Sequence, residues 1–224
     1  MRICRSCLFV AAAGAMSIGS SLKADWLVNT YKDHNGGQVF TLAQADAIVA
    51  DPLNKIGSGH YLTFNSEEQA NYGIYPNGDK PPGLVAVDTD FFVVTGSGYL
   101  NVGSEGDYKF ALLDDDAGRL RLDGNPIILE TANHAAFYPQ EVRYSPLMHL
   151  TQGLHPIDML YYEVTGGAGG EVFFVNPSNN APVALVGDSA HGGLEVTQNT
   201  APEPGSIAVV ALGSILSLRR RRVL

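Results

Sequence analysis

The sequence predicts an all-β fold, an antiparallel β-sandwich carrying one short N-terminal helix. Three observations predict it. Apolar residues alternate with period two through most of the middle of the chain. Turns rich in the chain's 25 glycines interrupt that alternation about every ten residues, the spacing of a sandwich. Nothing resembling a βαβ unit occurs, and 224 residues with 45% hydrophobic content leave room for one packed domain, expected over residues 25–201.

The helix comes first. Thr41-Leu42-Ala43-Gln44 fits a capping box, in which the threonine oxygen and the glutamine amide satisfy each other's orphan N–H groups. Leu42, Ala45, Ile48 and Val49 then share one face, and Asp51-Pro52 stops the helix. Period two takes over afterwards. Leu62 and Phe64 alternate with Tyr61 and Thr63, and Phe91 to Val94 is a continuous apolar run. Gly96-Ser97-Gly98 reads as a turn into Tyr99, Leu100 and Val102, with another turn at Gly103 to Gly106. Tyr108, Phe110 and Leu112 form one strand face, opposite Asp107, Lys109 and Ala111. Leu120 and Leu122 alternate with Arg119 and Arg121 up to Asp123-Gly124, a hairpin dipeptide. Met159, Tyr161 and Glu163 alternate with Leu160, Tyr162 and Val164 before the Gly166 to Gly170 turn, and Val172 to Val175 opens the next strand.

The two ends read as addresses. Residues 1–24 have the make-up of a secretory signal: Arg2 and Arg5, then the apolar stretch Cys7 to Ile18, with cleavage after Ala24 or after Ser21. Cys4 and Cys7 both lie in this segment, so the mature chain holds no cysteine and no disulfide scaffold. Over residues 202–224, Pro202-Glu203-Pro204 is followed by the apolar run Gly205 to Leu218 and by Arg219, Arg220, Arg221 and Arg222. The apolar run is a short span, and the arginines hold its end in the cytoplasm. These three parts in this order resemble the PEP-CTERM sorting tail of Gram-negative bacteria. That resemblance implies an exosortase as partner, transient residence in the inner membrane through the short transmembrane helix, and delivery to the cell surface or extracellular matrix. The other reading is an ordinary C-terminal membrane anchor.

All 23 acidic residues lie between Asp25 and Glu203, against seven basic ones, a net charge of −16 for that stretch. A nucleic-acid partner needs a basic footprint and is excluded. Cations, or neutral ligands such as sugars, fit better. Gly106-Asp107-Tyr108-Lys109-Phe110, then Asp114-Asp115-Asp116, then Arg119-Leu120-Arg121-Leu122-Asp123-Gly124 resemble the core of a PA14-type domain. Gly153 to Glu163 resembles a later strand of that family, so the likeness covers roughly Phe91 to Val175. It implies a β-sandwich, a carbohydrate-binding role and, as in fungal adhesins, Ca²⁺ on two adjacent aspartates. Those aspartates correspond to Asp115 and Asp116, with Asp114 an additional carboxylate. Ca²⁺ takes six to eight oxygens, and clustered carboxylates become favourable around a cation. Asn176, Asn179 and Asn180, in the loop after the last matched strand, are candidates for the remaining ligands. The competing reading of Asp114 to Asp116 is a solvated turn, and Asp123 belongs to its hairpin turn.

Other motifs weigh less. Gly187-Asp188-Ser189-Ala190-His191 resembles a flavin-monooxygenase fingerprint but stands without a dinucleotide-binding glycine loop, and it lacks a hydrolase nucleophile elbow. Glu67, Glu68, Glu130, Glu141 and Glu163 offer no pair singled out for glycoside hydrolysis. The six histidines have no preformed zinc spacing, although His149 and His155 lie close in sequence. The segment Asp25 to Tyr31 with Asp33 to Asp46 resembles a cyanobacterial group of PEP-CTERM proteins under zinc-dependent repression. The expectation is therefore an exported, non-enzymatic carbohydrate-binding or adhesion module, possessing a Ca²⁺ site and processed by an exosortase. The alternatives are a zinc-linked envelope protein, a purely structural matrix component and an envelope hydrolase.

Overall fold

The computed structural model describes residues 25–67, 74–75, 78–85, 90–134 and 141–198. The expected signal segment 1–24 and the sorting tail, with Pro202, Glu203, Pro204 and Arg219 to Arg222, lie outside them. Among the described residues no helix is long and apolar enough to cross a membrane.

In chain order the elements are β1 (Trp26–Tyr31), helix α1 (Leu42–Ala50), β2 (Lys55–Tyr61), β3 (Asn65–Glu67), β4 (Phe92–Val102), β5 (Gly106–Tyr108), β6 (Phe110–Asp115), β7 (Ala117–Leu122), β8 (Asn125–Leu129), β9 (Arg143–Tyr144), β10 (Met148–Leu150), β11 (Gly153–Glu163), β12 (Gly169–Val175), β13 (Pro182–Leu185) and β14 (Val196–Thr197). One sheet runs β2-β1-β4-β11-β7-β8, with β14 added beside β4. The facing sheet runs β13-β12-β6-β9, with β3 beside β12, and β5 and β10 form a separate ribbon. All the named strand pairings are antiparallel.

Period two sorts the side chains into layers. Phe110 and Leu112 of β6, Leu120 and Leu122 of β7, and Met159 and Tyr161 of β11 meet between the sheets with Trp26, Phe64 and Phe92. The opposite parity is buried too. Val93, Ala117, Leu160 and Tyr162 lie under Ala45 and Ile48 of α1, which covers the back of the first sheet. Ala111, Leu113, Phe173 and Val175 form a third cluster behind the second sheet. Thr41 caps α1 by accepting the Gln44 N–H at 3.2 Å. Gln44 closes its half of the cap on the Phe40 N–H, one residue before the position a capping box predicts.

Two expected boundaries differ. Gly96-Ser97-Gly98 is no turn: β4 passes straight through it for eleven residues. A Cβ on Gly96 would stand 2.3 Å from the Phe64 ring, and one on Gly98 would stand 2.4 Å from Val196. These glycines admit a ring and a crossing strand close to the backbone, the other use of a strand glycine. The alternation at Tyr61 to Phe64 also ends early. β2 stops at Tyr61, Leu62 is 54% exposed, and only Phe64 re-enters the core. Asp123 (φ +52°) and Gly124 (φ +76°) do make the expected two-residue hairpin turn between β7 and β8.

Candidate functional site

The aspartate run lies where β6 hands over to β7, at one end of the sandwich. Gly169 of β12 pairs with Asp115, and Tyr162 of β11 pairs with Ala117, so both sheets meet there. The Asp115–Asp116 peptide is cis. Asp116 is pinned through its backbone, donating its N–H to Tyr162 O at 2.8 Å and accepting from the His134 N–H at 3.0 Å. Its carboxylate accepts the Val164 N–H at 2.6 Å. Burial raises the Asp116 pKa, a shift opposed by that bond and by nearby His134.

Asp115, Asp116 and Glu163 each offer one carboxylate oxygen, and the three oxygens lie within 4.8 Å of one another. Asp115 is 5% exposed and Glu163 is fully buried. Three hard oxygen donors drawn together, two of them shielded from water, suit Ca²⁺ and leave coordination positions for other ligands. The residues present therefore fit the ion that the sequence resemblance implies.

Asp114 is not one of the three. It keeps the inward parity of Phe110 and Leu112 and is fully buried beside Gly118, where a Cβ would stand 2.5 Å from its Oδ2. Among the described residues neither oxygen has a hydrogen-bond partner. Burial, then the negative charge of Glu130, pushes its pKa up to about 8. His134 Nε2 stands 3.9 Å from Asp114 Oδ1 and 3.9 Å from Glu130 Oε2. Glu130 is in turn held by Arg143 and by the N–H groups of Thr131 and Ala132. Burial raises its pKa less than these bonds lower it, and Glu130 stays anionic.

Glu163 was legible only as an anomaly. It shares the core-facing parity of Met159 and Tyr161, where a carboxylate is out of place unless something compensates it. The asparagines sought as further ligands sit elsewhere. Asn176, Asn179 and Asn180 follow Val175, the end of β12 remote from Gly169, and close a turn through Ser178 N, Ala181 N and Lys109 Nζ. His149 and His155 are engaged separately, the first by Asp107 and Glu105, the second by Asp123 and Thr151 O. His191 bonds Asp188 at 2.7 Å within an exposed 3₁₀ turn.

Beside the carboxylates stands an aromatic pair. Phe91 donates its N–H to Val164 O at 3.2 Å, on the same residue whose N–H reaches Asp116. Its φ of +55° is left-handed, a strained state for a bulky residue and a frequent mark of functional sites. Phe40, 43% exposed, meets the Phe91 ring edge-on at 5.8 Å. The Tyr162 hydroxyl lies 2.9 Å from Phe40 O and 2.6 Å from Asn133 Oδ1, tying this corner to β11.

Against known proteins, the family description of the PA14 domain matches residues 59–184. No curated protein sequence matches. The PA14 domain of the MpAFP antifreeze protein superposes with a TM-score of 0.60 at 17% identity, covering 84% of this chain and 97% of that one. A PA14 sugar-binding domain from an RTX adhesin gives 0.55 at 17% identity, covering 79% of this chain and 99% of that one. The Epithelial Adhesin 6 A domain of Candida glabrata, in complex with Galβ1-3GlcNAc, gives 0.51 at 13% identity over 82% of this chain and 91% of that one.

Proposed function

We propose, from the premise that this chain belongs to the PA14 domain family, that it is an exported, non-enzymatic carbohydrate-binding module whose glycan docks on Ca²⁺ held by Asp115, Asp116 and Glu163. The observation that carries the reading is the convergence of three carboxylate oxygens within 4.8 Å at a sandwich rim. Their mutual repulsion, in a site that water reaches poorly, is offset by a divalent cation. The ion's open positions accept vicinal hydroxyls, and binding consists of ligand exchange with no bond made or broken. The oxygen-only donor set favours calcium over zinc. Two relatives of similar fold are named for sugar binding or carry a bound galactoside, which supports the same ligand class.

The Phe40–Phe91 pair gives the sugar an apolar surface beside the ion. Aromatic rings bind the C–H faces of pyranoses, while the cation holds their hydroxyls. Residues 202–224 send the module to the cell surface or matrix through exosortase processing, as the Pro-Glu-Pro, apolar and arginine parts imply.

A glycan array probed with and without chelator tests the reading. Binding in calcium and its loss with chelator are expected; binding to no glycan in calcium overturns it. Phe40→Ala alters an exposed ring, so it is expected to weaken glycan binding while the calcium affinity, measured by calorimetry, stays unchanged.

A further inference from the structure

At the opposite end of the sandwich lies an open cleft of about 260 Å³, between the β5–β6 junction and the chain after β12. Lys109 in its wall stands six residues before Asp115, about 20 Å at roughly 3.4 Å per residue. We propose that this cleft is a second, cation-independent glycan site that takes one neutral hexopyranose.

Size, lining and charge each point to that ligand. The volume falls just below the roughly 300 Å³ at which pockets for drug-sized molecules begin, so a single sugar ring matches it better than a long ligand. The wall is aromatic and aliphatic. Tyr108 packs at 6.3 Å against Phe174, and its hydroxyl donates to Ser104 O at 2.7 Å, so the ring is held in place before any ligand arrives. Val183 and Leu194 continue the apolar surface. A preorganised ring needs no ordering on binding, which favours a weak, neutral ligand such as a sugar.

The rim contains one anion and one cation, and both are already compensated. Asp107 accepts from His149 Nδ1 at 2.8 Å. Lys109 bonds Asn180 Oδ1 at 2.8 Å and lies 5.8 Å over the Tyr144 ring. A charged ligand would find no free counter-charge, whereas hydroxyls can share these groups as further donors and acceptors. Among the described residues no group of carboxylates converges here as at the Asp115 end, and the proposed binding uses no ion. If both ends bind sugar, a consequence that rests on the reading of the rim above, one chain links two glycan strands.

The test is heteronuclear NMR of the full chain with methyl β-galactoside, methyl β-glucoside and methyl α-mannoside, in chelator and then in calcium. The expected result is that at least one glycoside shifts the amides of Tyr108, Asn176 and Val183 in chelator. Val183 is 49% exposed, so Val183→Arg fills the cleft without disturbing the core. It is expected to weaken that binding by about tenfold or more, with the melting temperature unchanged. Asp116→Asn is expected to leave it intact. Absence of shifts in chelator with all three glycosides, or shifts that survive Val183→Arg, overturns the second site. Shifts confined to calcium and to the Asp115 end overturn it while leaving the calcium reading standing.

Discussion

The two ends of this sandwich treat their charges in opposite ways. At the β5–β6 end the acids lie in the open and have partners: Asp107 and Glu105 share His149, which their hydrogen bonds hold protonated above the usual imidazole range. At the β6–β7 end most of the acids are buried. Asp114, Asp115 and Glu163 have 5% exposure or less. Arg143 is taken up by Glu130 and Glu141. Surface ion pairs of the first kind contribute little and specify little. Carboxylates gathered out of water are costly when ionised, and in the proposed reading an ion held by Asp115, Asp116 and Glu163 offsets that cost. The two ends therefore differ in burial: acids with partners in the open at one, converging carboxylates largely shielded from water at the other.

The largest effect expected is at the buried end. Asp115→Asn combined with Asp116→Asn should abolish the rise in melting temperature on adding calcium, and Glu163→Gln should weaken calcium binding by about tenfold or more. Scanning calorimetry and titration calorimetry check the two; an undiminished calcium response in the double variant would break the contrast between the ends. Next in size is packing. Gly118→Ala places a methyl 2.5 Å from Asp114 Oδ2 and 2.6 Å from Leu160 O. It should cost about 1–3 kcal/mol in urea unfolding. Gly103→Ala, with nothing within 4 Å of its Cβ, should change stability little.

A smaller effect separates the ends by pH. Asp114 holds its proton up to about 8 in the folded chain, against about 3.9 when unfolded. The folded state therefore binds more protons, and this stabilisation is complete below about pH 4 and disappears as pH rises towards 8. In chelator, Asp114→Asn should flatten stability against pH across that window, and an unchanged slope counts against a protonated Asp114. A small effect is expected too for Lys109→Met at the open end, about 1 kcal/mol in urea unfolding, because it removes one part-buried hydrogen bond to the neutral Asn180 amide.

Much of this was legible in the chain. Period two placed Phe110, Leu112, Met159 and Tyr161 in the core, the capping residues placed α1, and Asp123-Gly124 placed a hairpin. Asp115 and Asp116 were singled out by the motif around them, and their carboxylate oxygens do lie together, joined by Glu163. Gly96 and Gly98 misled, because a glycine that admits Phe64 against a strand looks in sequence like one that turns it. Asp114 is a second position that burial sets apart. Three adjacent aspartates look equivalent on paper, yet strand alternation sends Asp114 inward beside Gly118. Glu163 lies 47 positions beyond Asp116, and only the pairing of β11 with β7 brings them together.

What the sequence determined by itself is local: periodicity, caps, turn dipeptides and the run of acids all depend on neighbours a few residues away. The tertiary structure decided which acids share a site, which are sealed inside, and where a sugar-sized cleft opens. Those outcomes depend on strand register and sheet stacking, and burial is a property of the whole packed molecule that no short stretch of chain possesses alone.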